Sequence, residues 1–151
     1  ENSRVDKSCF SQWFPSSFNF EGIKYPTAEH WMMAQKALLF NDMEQYKNII
    51  GTQNPAEVKK FGRKVKNYND IEWRTKGFEF VVEGNKNKFS QNLEMKKFLL
   101  NTGNSVIVEA SPYDNIWGIG MIEHETNPAK WKGQNLLGFV LMEVRDYLNN
   151  A

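Results

Sequence analysis

Glu29 and Lys36 stand seven residues apart in Pro26-Thr27-Ala28-Glu29-His30-Trp31-Met32-Met33-Ala34-Gln35-Lys36-Ala37. If this stretch is helical, seven residues make almost two turns. The carboxylate and the amine then share one side, about 10 Å apart along the axis. That is too far for an i,i+4 ion pair, and it suits two groups gripping opposite ends of one bound molecule. Plainer readings stand beside this one. A glutamate in a first helical turn complements the macrodipole, and a mid-helix lysine is ordinarily a surface residue.

Two further carboxylates sit at the ends of expected elements. Glu109 follows Val106-Ile107-Val108, and Asp114 lies in Ser111-Pro112-Tyr113-Asp114-Asn115-Ile116-Trp117-Gly118-Ile119-Gly120 beside a large flat ring and two glycines. Each has its own alternative: Glu109 can pair with an arginine, Asp114 can stabilise its own turn, and Trp117 can be core. Together with Glu29 and Lys36 they point to a cleft, because catalytic groups favour loops held by a rigid scaffold. Other templates are absent. No glycine-rich phosphate loop and no nucleophile elbow occurs. His30 and His124 are the only histidines and lack ligand spacing, and the single Cys9 excludes an internal disulfide and a cysteine-based zinc site. No metal site is expected.

The elements that must position these groups follow from caps and periodicity. Thr27 is an N-cap for the Glu29/Lys36 helix, with Trp31, Ala34 and Leu38 as its buried face. Met33 and Phe40 lie near the polar side, so that side is not simply solvated. A hairpin precedes it, with strands at 17–20 and 23–25 around the turn Glu21-Gly22. Asn41 caps a second helix, with Glu44 three residues on, an apolar face of Met43, Tyr46, Ile49 and Ile50, and Gly51 as its stop. Asn54-Pro55-Ala56-Glu57 opens a third, with Val58, Phe61 and Val65 inward. Asn69 or Asp70 opens a longer helical region that carries Trp73 and continues to Leu100. Within it, Gly84 marks either a kink or a close approach by another group. The run 106–108 reads as a buried strand. Residues 121–135 read as irregular apart from one possible helical turn near 127–131. A last helix runs from about Asn135 to Leu148, with Leu137, Val140, Leu141, Val144 and Leu148 inward.

The chain has 151 residues, enough for one domain with a sizeable core. Residues 1–9 are polar and read as a flexible arm, leaving 10–151 as the domain. Nineteen basic residues against eighteen acidic ones give a net charge of +1, so no global grip on nucleic acid is indicated. Eleven Phe, five Trp and five Tyr fit either an aromatic core or a pocket that stacks planar rings. There is no apolar run of membrane-spanning length, and one cysteine suits a reducing, cytoplasmic compartment. The fold class is mainly α, a single compact domain with a few short β-strands.

Several ordered motifs resemble one family. They are Phe10-Ser11-Gln12-Trp13-Phe14-Pro15-Ser16, the stretch from Tyr25 to Lys36, Gly84-Asn85 with Lys88-Phe89, and Val108-Glu109-Ala110-Ser111. To these add Asp114 to Gly120, and Gly133-Gln134-Asn135-Leu136-Leu137-Gly138 with Leu141-Met142-Glu143-Val144-Arg145. From about Phe10 to Leu148 the chain resembles the NADAR domain family, the YbiA-like group.

That resemblance implies a compact helical fold and hydrolysis of N-glycosyl bonds. The leading expectation is removal of ADP-ribose from ADP-ribosylated guanine in DNA or RNA. The alternative is hydrolysis of phosphoribosylamino-pyrimidine intermediates of riboflavin biosynthesis. Both substrates carry an exocyclic amine on the anomeric carbon of ribose. Lys36 is implied as a nucleophile that forms a Schiff base, and Glu29 as its proton shuttle. Glu109 and Asp114 are expected on ribose hydroxyls, Trp73 or Trp117 on a base, and the amides near Gly118 and Gly120 on a pyrophosphate. Asn135 joins the substrate-binding set. No cofactor is implied. A reading from another class is a non-catalytic module that binds NAD or ADP-ribose, and a further one is a helical interaction module with an exposed apolar patch.

Overall fold

The computed structural model describes residues 5–110, 114, 116–118, 120 and 132–150. Among these residues the architecture is helical, with one two-stranded sheet. Strands β1 (Phe18–Phe20) and β2 (Ile23–Tyr25) pair antiparallel, with Phe18 opposite Tyr25 and Phe20 opposite Ile23. Glu21 and Gly22 turn between them in left-handed conformations. The hairpin delivers the chain into α1 (Ala28–Leu39), followed by α2 (Met43–Ile50) and α3 (Pro55–Arg63). Then come the long α4 (Asp70–Ser90), α5 (Leu93–Leu100) and α6 (Leu136–Asn149).

Helix α1 is the hub and packs against α2, α3 and α4, while α4 packs against α5 and α6. Its N-cap is Thr27, whose Oγ1 accepts from His30 N at 3.2 Å. His30 is fully buried, and its Nε2 lies 2.8 Å from the Thr52 carbonyl. A carbonyl only accepts, so Nε2 carries the proton and Nδ1 accepts from the Thr27 hydroxyl at 2.7 Å. Burial also pushes the His30 pKa down, in keeping with a neutral ring that ties α1 to the α2–α3 connection. Trp31 is the largest fully buried side chain. Its indole donates to the Phe80 carbonyl at 2.7 Å, and a Cβ at Gly84 would run into its ring. Of the two meanings open for Gly84, close approach is the one found.

Several expectations need correction. Leu38 is exposed, and α1 instead buries Ala28 through Ala34 and Ala37, its Glu29 side included. Asp42, not Asn41, caps α2, by accepting from Gln45 N at 3.1 Å. Asn41 makes the left-handed step before it, and Met43 on α2 is exposed. The long helical region is two helices, broken at Gln91-Asn92. Gln91 there turns its side chain to the Asn19 backbone of β1, and Asn92 reaches back to the Lys88 carbonyl. Residues 106–108 are not a strand, because the sheet consists of β1 and β2 among the described residues; only Ile107 is buried, and Val106 is exposed. Val5 packs on the core, Lys7–Phe10 form a 3-10 turn capped by Asp6, and Cys9 is fully buried. The possible turn near 127–131 lies outside the described residues.

Candidate active site

One cavity of about 380 Å³ opens over the Glu29/Lys36 side of α1. Its walls come from several parts of the chain. Helix α1 supplies Glu29, Met32, Met33 and Lys36, and α3 supplies Lys59 and Arg63. The Ser11–Trp13 loop closes one side, and Trp73, Glu109, Asp114 and Trp117 line the others. Six sequence-predicted residues therefore meet in one place: Lys36, Glu29, Trp73, Glu109, Asp114 and Trp117. Gly118, Gly120 and Asn135 are not among the lining residues.

The loop is pinned to the helix that carries the carboxylate. Glu29 N donates to the Gln12 carbonyl at 3.0 Å, using one of the free amides of the first turn of α1. The Gln12 and Asn85 side-chain amides face one another at 3.4 Å in both directions. Lys88, fully buried, donates to the Ser11 carbonyl at 2.9 Å. Asn85 and Lys88 lie on one face of α4 with Val81, at i+4 and i+7, and that face is otherwise apolar. This polar pair inside a buried stripe is the signal that could have drawn attention to the Ser11–Trp13 loop.

Asn135 stands behind the lining and braces the segment that carries Glu109. It is fully buried, in a left-handed conformation (φ 53°) at the start of α6. Its Oδ1 accepts from Glu109 N at 2.9 Å, and its Nδ2 donates to the Ile107 carbonyl at 3.0 Å. Its side chain is thus committed to the backbone on either side of Val108. The first amides of α6 are satisfied instead by a neighbouring turn: Asn135, Leu136 and Leu137 N–H donate to the carbonyls of Gly118, Ile116 and Trp117 at 2.9, 3.1 and 3.0 Å. Asp114 Oδ1 holds that turn by accepting from Ile116 N and Trp117 N at 2.9 and 2.8 Å. Asp114 therefore stabilises its own turn and also faces the cavity. Gly118 is buried, and its carbonyl serves α6; Gly120 has φ 68°.

The cavity mixes charge under partial burial. Burial lifts the Glu29 carboxyl to a pKa of about 7; Asp114 adds to the rise, and Lys59, Lys36 and Arg63 oppose it. Burial also lifts the Glu109 pKa, again with Asp114 acting in the same direction and Lys88 against it. The Lys36 amine is shifted the other way: burial lowers its pKa, Glu29 opposes that and Arg63 assists it. Lys36 Nζ lies 4.5 Å from the centroid of the Tyr68 ring. A carboxyl that holds its proton near neutrality in the same cavity as an amine that gives its proton up more easily can serve acid/base and nucleophilic chemistry. Among the described residues no group of three or more His, Cys, Asp or Glu could hold a metal ion.

The model of the NADAR domain family matches residues 1–149. The chain belongs to that family. An N-glycosidase of Acanthamoeba polyphaga mimivirus is 48% identical over 91% of this chain and 85% of its own length. A riboflavin biosynthesis protein of Vibrio vulnificus is 29% identical, and this chain spans 35% of it. The NMR structure of the E. coli protein YbiA aligns with a TM-score of 0.80 at 28% identity, covering 97% of this chain and 80% of that one. The compact, mostly helical NADAR fold expected from the sequence is the fold found. Lys59, Arg63 and the Ser11–Trp13 loop were not singled out for a role in the sequence. The two cations belong to a helix on which lysine and arginine read as ordinary surface residues, so nothing local marks them.

Proposed function

We propose that this NADAR domain is an N-glycosidase that releases ADP-ribose from the exocyclic amine of guanine in nucleic acid, with Lys36 as nucleophile and Glu29 as proton shuttle. Hydrolysis of an N-glycosyl bond is the activity that the names of its relatives carry. The observation that carries the residue assignment is the meeting of Glu29 and Lys36 in one cavity, from one helix side, with ionisations displaced toward each other.

The ribosylamine opens, its ring oxygen taking a proton as C1 becomes an imine to the base nitrogen. The neutral Lys36 amine adds to C1 and passes one of its protons to the base nitrogen, which accepts a second from Glu29 and leaves as the free amine. Lys36 is then a Schiff base on C1. Water adds there after giving a proton to Glu29, and the carbinolamine collapses to the free lysine and an aldehyde that recloses to ribose. Lys59 and Arg63 line the same cavity and are the cations to take the phosphates, and Glu109 and Asp114 accept from ribose hydroxyls.

The test is an oligonucleotide bearing ADP-ribosyl-guanine, incubated with and without borohydride and read by intact mass. Released ADP-ribose and a reduced adduct that disappears in Lys36→Ala are expected. Product with no adduct moves the reaction to direct water attack. The name of the Vibrio relative favours a second substrate reading, a phosphoribosylamino-pyrimidine; turnover of that compound alone would select it.

A further inference from the structure

A second cavity, also of about 380 Å³, lies against the first and shares Trp73 and Trp117 with it. Tyr68 lines the second cavity, and its ring is the one beneath Lys36 Nζ. The lysine therefore stands at the seam between two chambers. We infer that the second chamber is the subsite for the leaving base, a planar purine or pyrimidine that carries the amine, while the first holds the ribose and its phosphates. This rests on the N-glycosidase reading and adds to it where each half of the substrate goes.

The two linings differ in the way such a division needs. The first chamber has three cations, Lys36, Lys59 and Arg63, which can receive anions, and three carboxylates, Glu29, Glu109 and Asp114, which can accept from ribose hydroxyls or exchange protons. Among the described residues the second has one, Arg74, and it is already paired with Asp70 at 2.9 Å. Asp70 also accepts from the Tyr68 hydroxyl at 2.8 Å. Its charged edge is thus balanced, Gln134 adds one neutral amide, and its remaining walls are flat or apolar: Trp73, Trp117, Phe78, Ile116 and Leu136. Such a chamber suits an uncharged aromatic ring, which stacks on aromatic side chains whatever its hydrogen-bonding edge. Size points the same way. A single cavity of this volume is at the low end for a drug-sized ligand, whereas an ADP-ribosylated nucleotide has two nucleoside-sized units joined through a diphosphate. The bond to be broken lies between ribose and base, and the seam is where the attacking amine sits.

Ile116 and Gln134 line the second chamber and not the first, so Ile116→Trp and Gln134→Trp fill the former alone. The full chain and both variants are given free ADP-ribose with borohydride, which needs no base, and separately ADP-ribosyl-guanosine. The expected result is an undiminished ADP-ribose adduct on Lys36, with KM for ADP-ribosyl-guanosine raised at least about tenfold, the loss of one base stack. Adduct formation with unchanged KM in both variants overturns the subsite and leaves the N-glycosidase reading standing. If the unmodified chain gives neither adduct nor hydrolysis, that reading falls, and guanosine quenching of tryptophan fluorescence decides the subsite alone. Quenching that the variants lack supports the subsite, and absence of quenching overturns it. Should circular dichroism find both variants unfolded, calorimetry on the unmodified chain decides. Guanosine and ADP-ribose bound together support two chambers, and mutual exclusion refutes them.

Discussion

The buried ammonium of Lys88 donates to the Ser11 carbonyl, 77 residues earlier in the chain, at 2.9 Å. That bond ties the loop beside the cavity to the centre of α4. Burial holds the Lys88 pKa down to about 7, against opposing fields from Cys9 and Glu109. Lys88→Met keeps the volume and removes the donor, so the Ser11–Trp13 wall should loosen and kcat/KM should fall about tenfold, on the order of one lost charge-assisted bond. The pH dependence has a definite sign. A lysine with a lowered folded pKa makes the protein more stable as pH rises from about 7 to about 10.5, because the unfolded chain binds more protons there. The variant should compare best with the unmodified chain near pH 6 and worst near about pH 10. Melting curves that run parallel at both pH values would remove the charge argument.

Glu29 sets function against stability. It is 7% exposed, and its pKa is raised from the ordinary carboxyl range to about 7. The folded protein therefore holds a proton on Glu29 between about pH 4.5 and about pH 7 that the unfolded chain has lost, and stability falls as pH rises through that window. Glu29→Gln has no such proton. Its stability relative to the unmodified chain should grow from about pH 4.5 and level off above about pH 7, at a gain on the order of 1–3 kcal/mol. Hydrolysis should drop by about 10²–10⁴-fold. Thermal melts and rates across pH check both halves. A variant that is less stable at about pH 8 than the unmodified chain would contradict the burial argument.

The Trp31–Gly84 contact decides a third prediction by magnitudes. In an isolated helix Gly84→Ala would gain roughly 1 kcal/mol of propensity. Here the added methyl meets the Trp31 indole, which is also held by its bond to the Phe80 carbonyl. Overpacking costs roughly 1–3 kcal/mol, and a strained or lost hydrogen bond about 1 kcal/mol more. The collision wins, so denaturant unfolding should find Gly84→Ala less stable by about 1–3 kcal/mol.

This contact also shows what the sequence could and could not tell. Local chemistry marked the start of α1 through Thr27, of α3 through Asn54-Pro55 and the turn at Glu21-Gly22, because caps and turns depend on adjacent residues. Gly84 was visible as an anomaly, but its partner, 53 positions away, was not. The same distance problem misled the reading of 106–108. Their β-branched run suggested a strand, yet no strand partner stands beside them among the described residues, and the Ile107 carbonyl and the neighbouring Glu109 N–H bond to Asn135 instead. In the site, Glu29 and Lys36 were legible from spacing on one helix. Lys59 and Arg63 were not, since only the packing of α3 on α1 brings them to the cavity.

Asn135 joins these threads, because one side chain fixes the backbone that presents Glu109. Asn135→Ala loses both side-chain bonds and also places a Cβ residue without asparagine's tolerance at φ 53°. Asn135→Gly loses the same bonds but adopts that φ freely. Comparing the two separates strain from positioning. Both should be destabilised, since Glu109 N and the Ile107 carbonyl each lose a partner, at about 1–3 kcal/mol per unsatisfied buried group. Alanine should be worse than glycine by roughly 1 kcal/mol. Both should lose activity to a similar extent, about tenfold or more, because Glu109 is released in either case. Urea melts together with kcat/KM on the folded fraction make the comparison. If glycine restores activity, the backbone angle alone is what the site needs from Asn135, and the Glu109 bond is incidental.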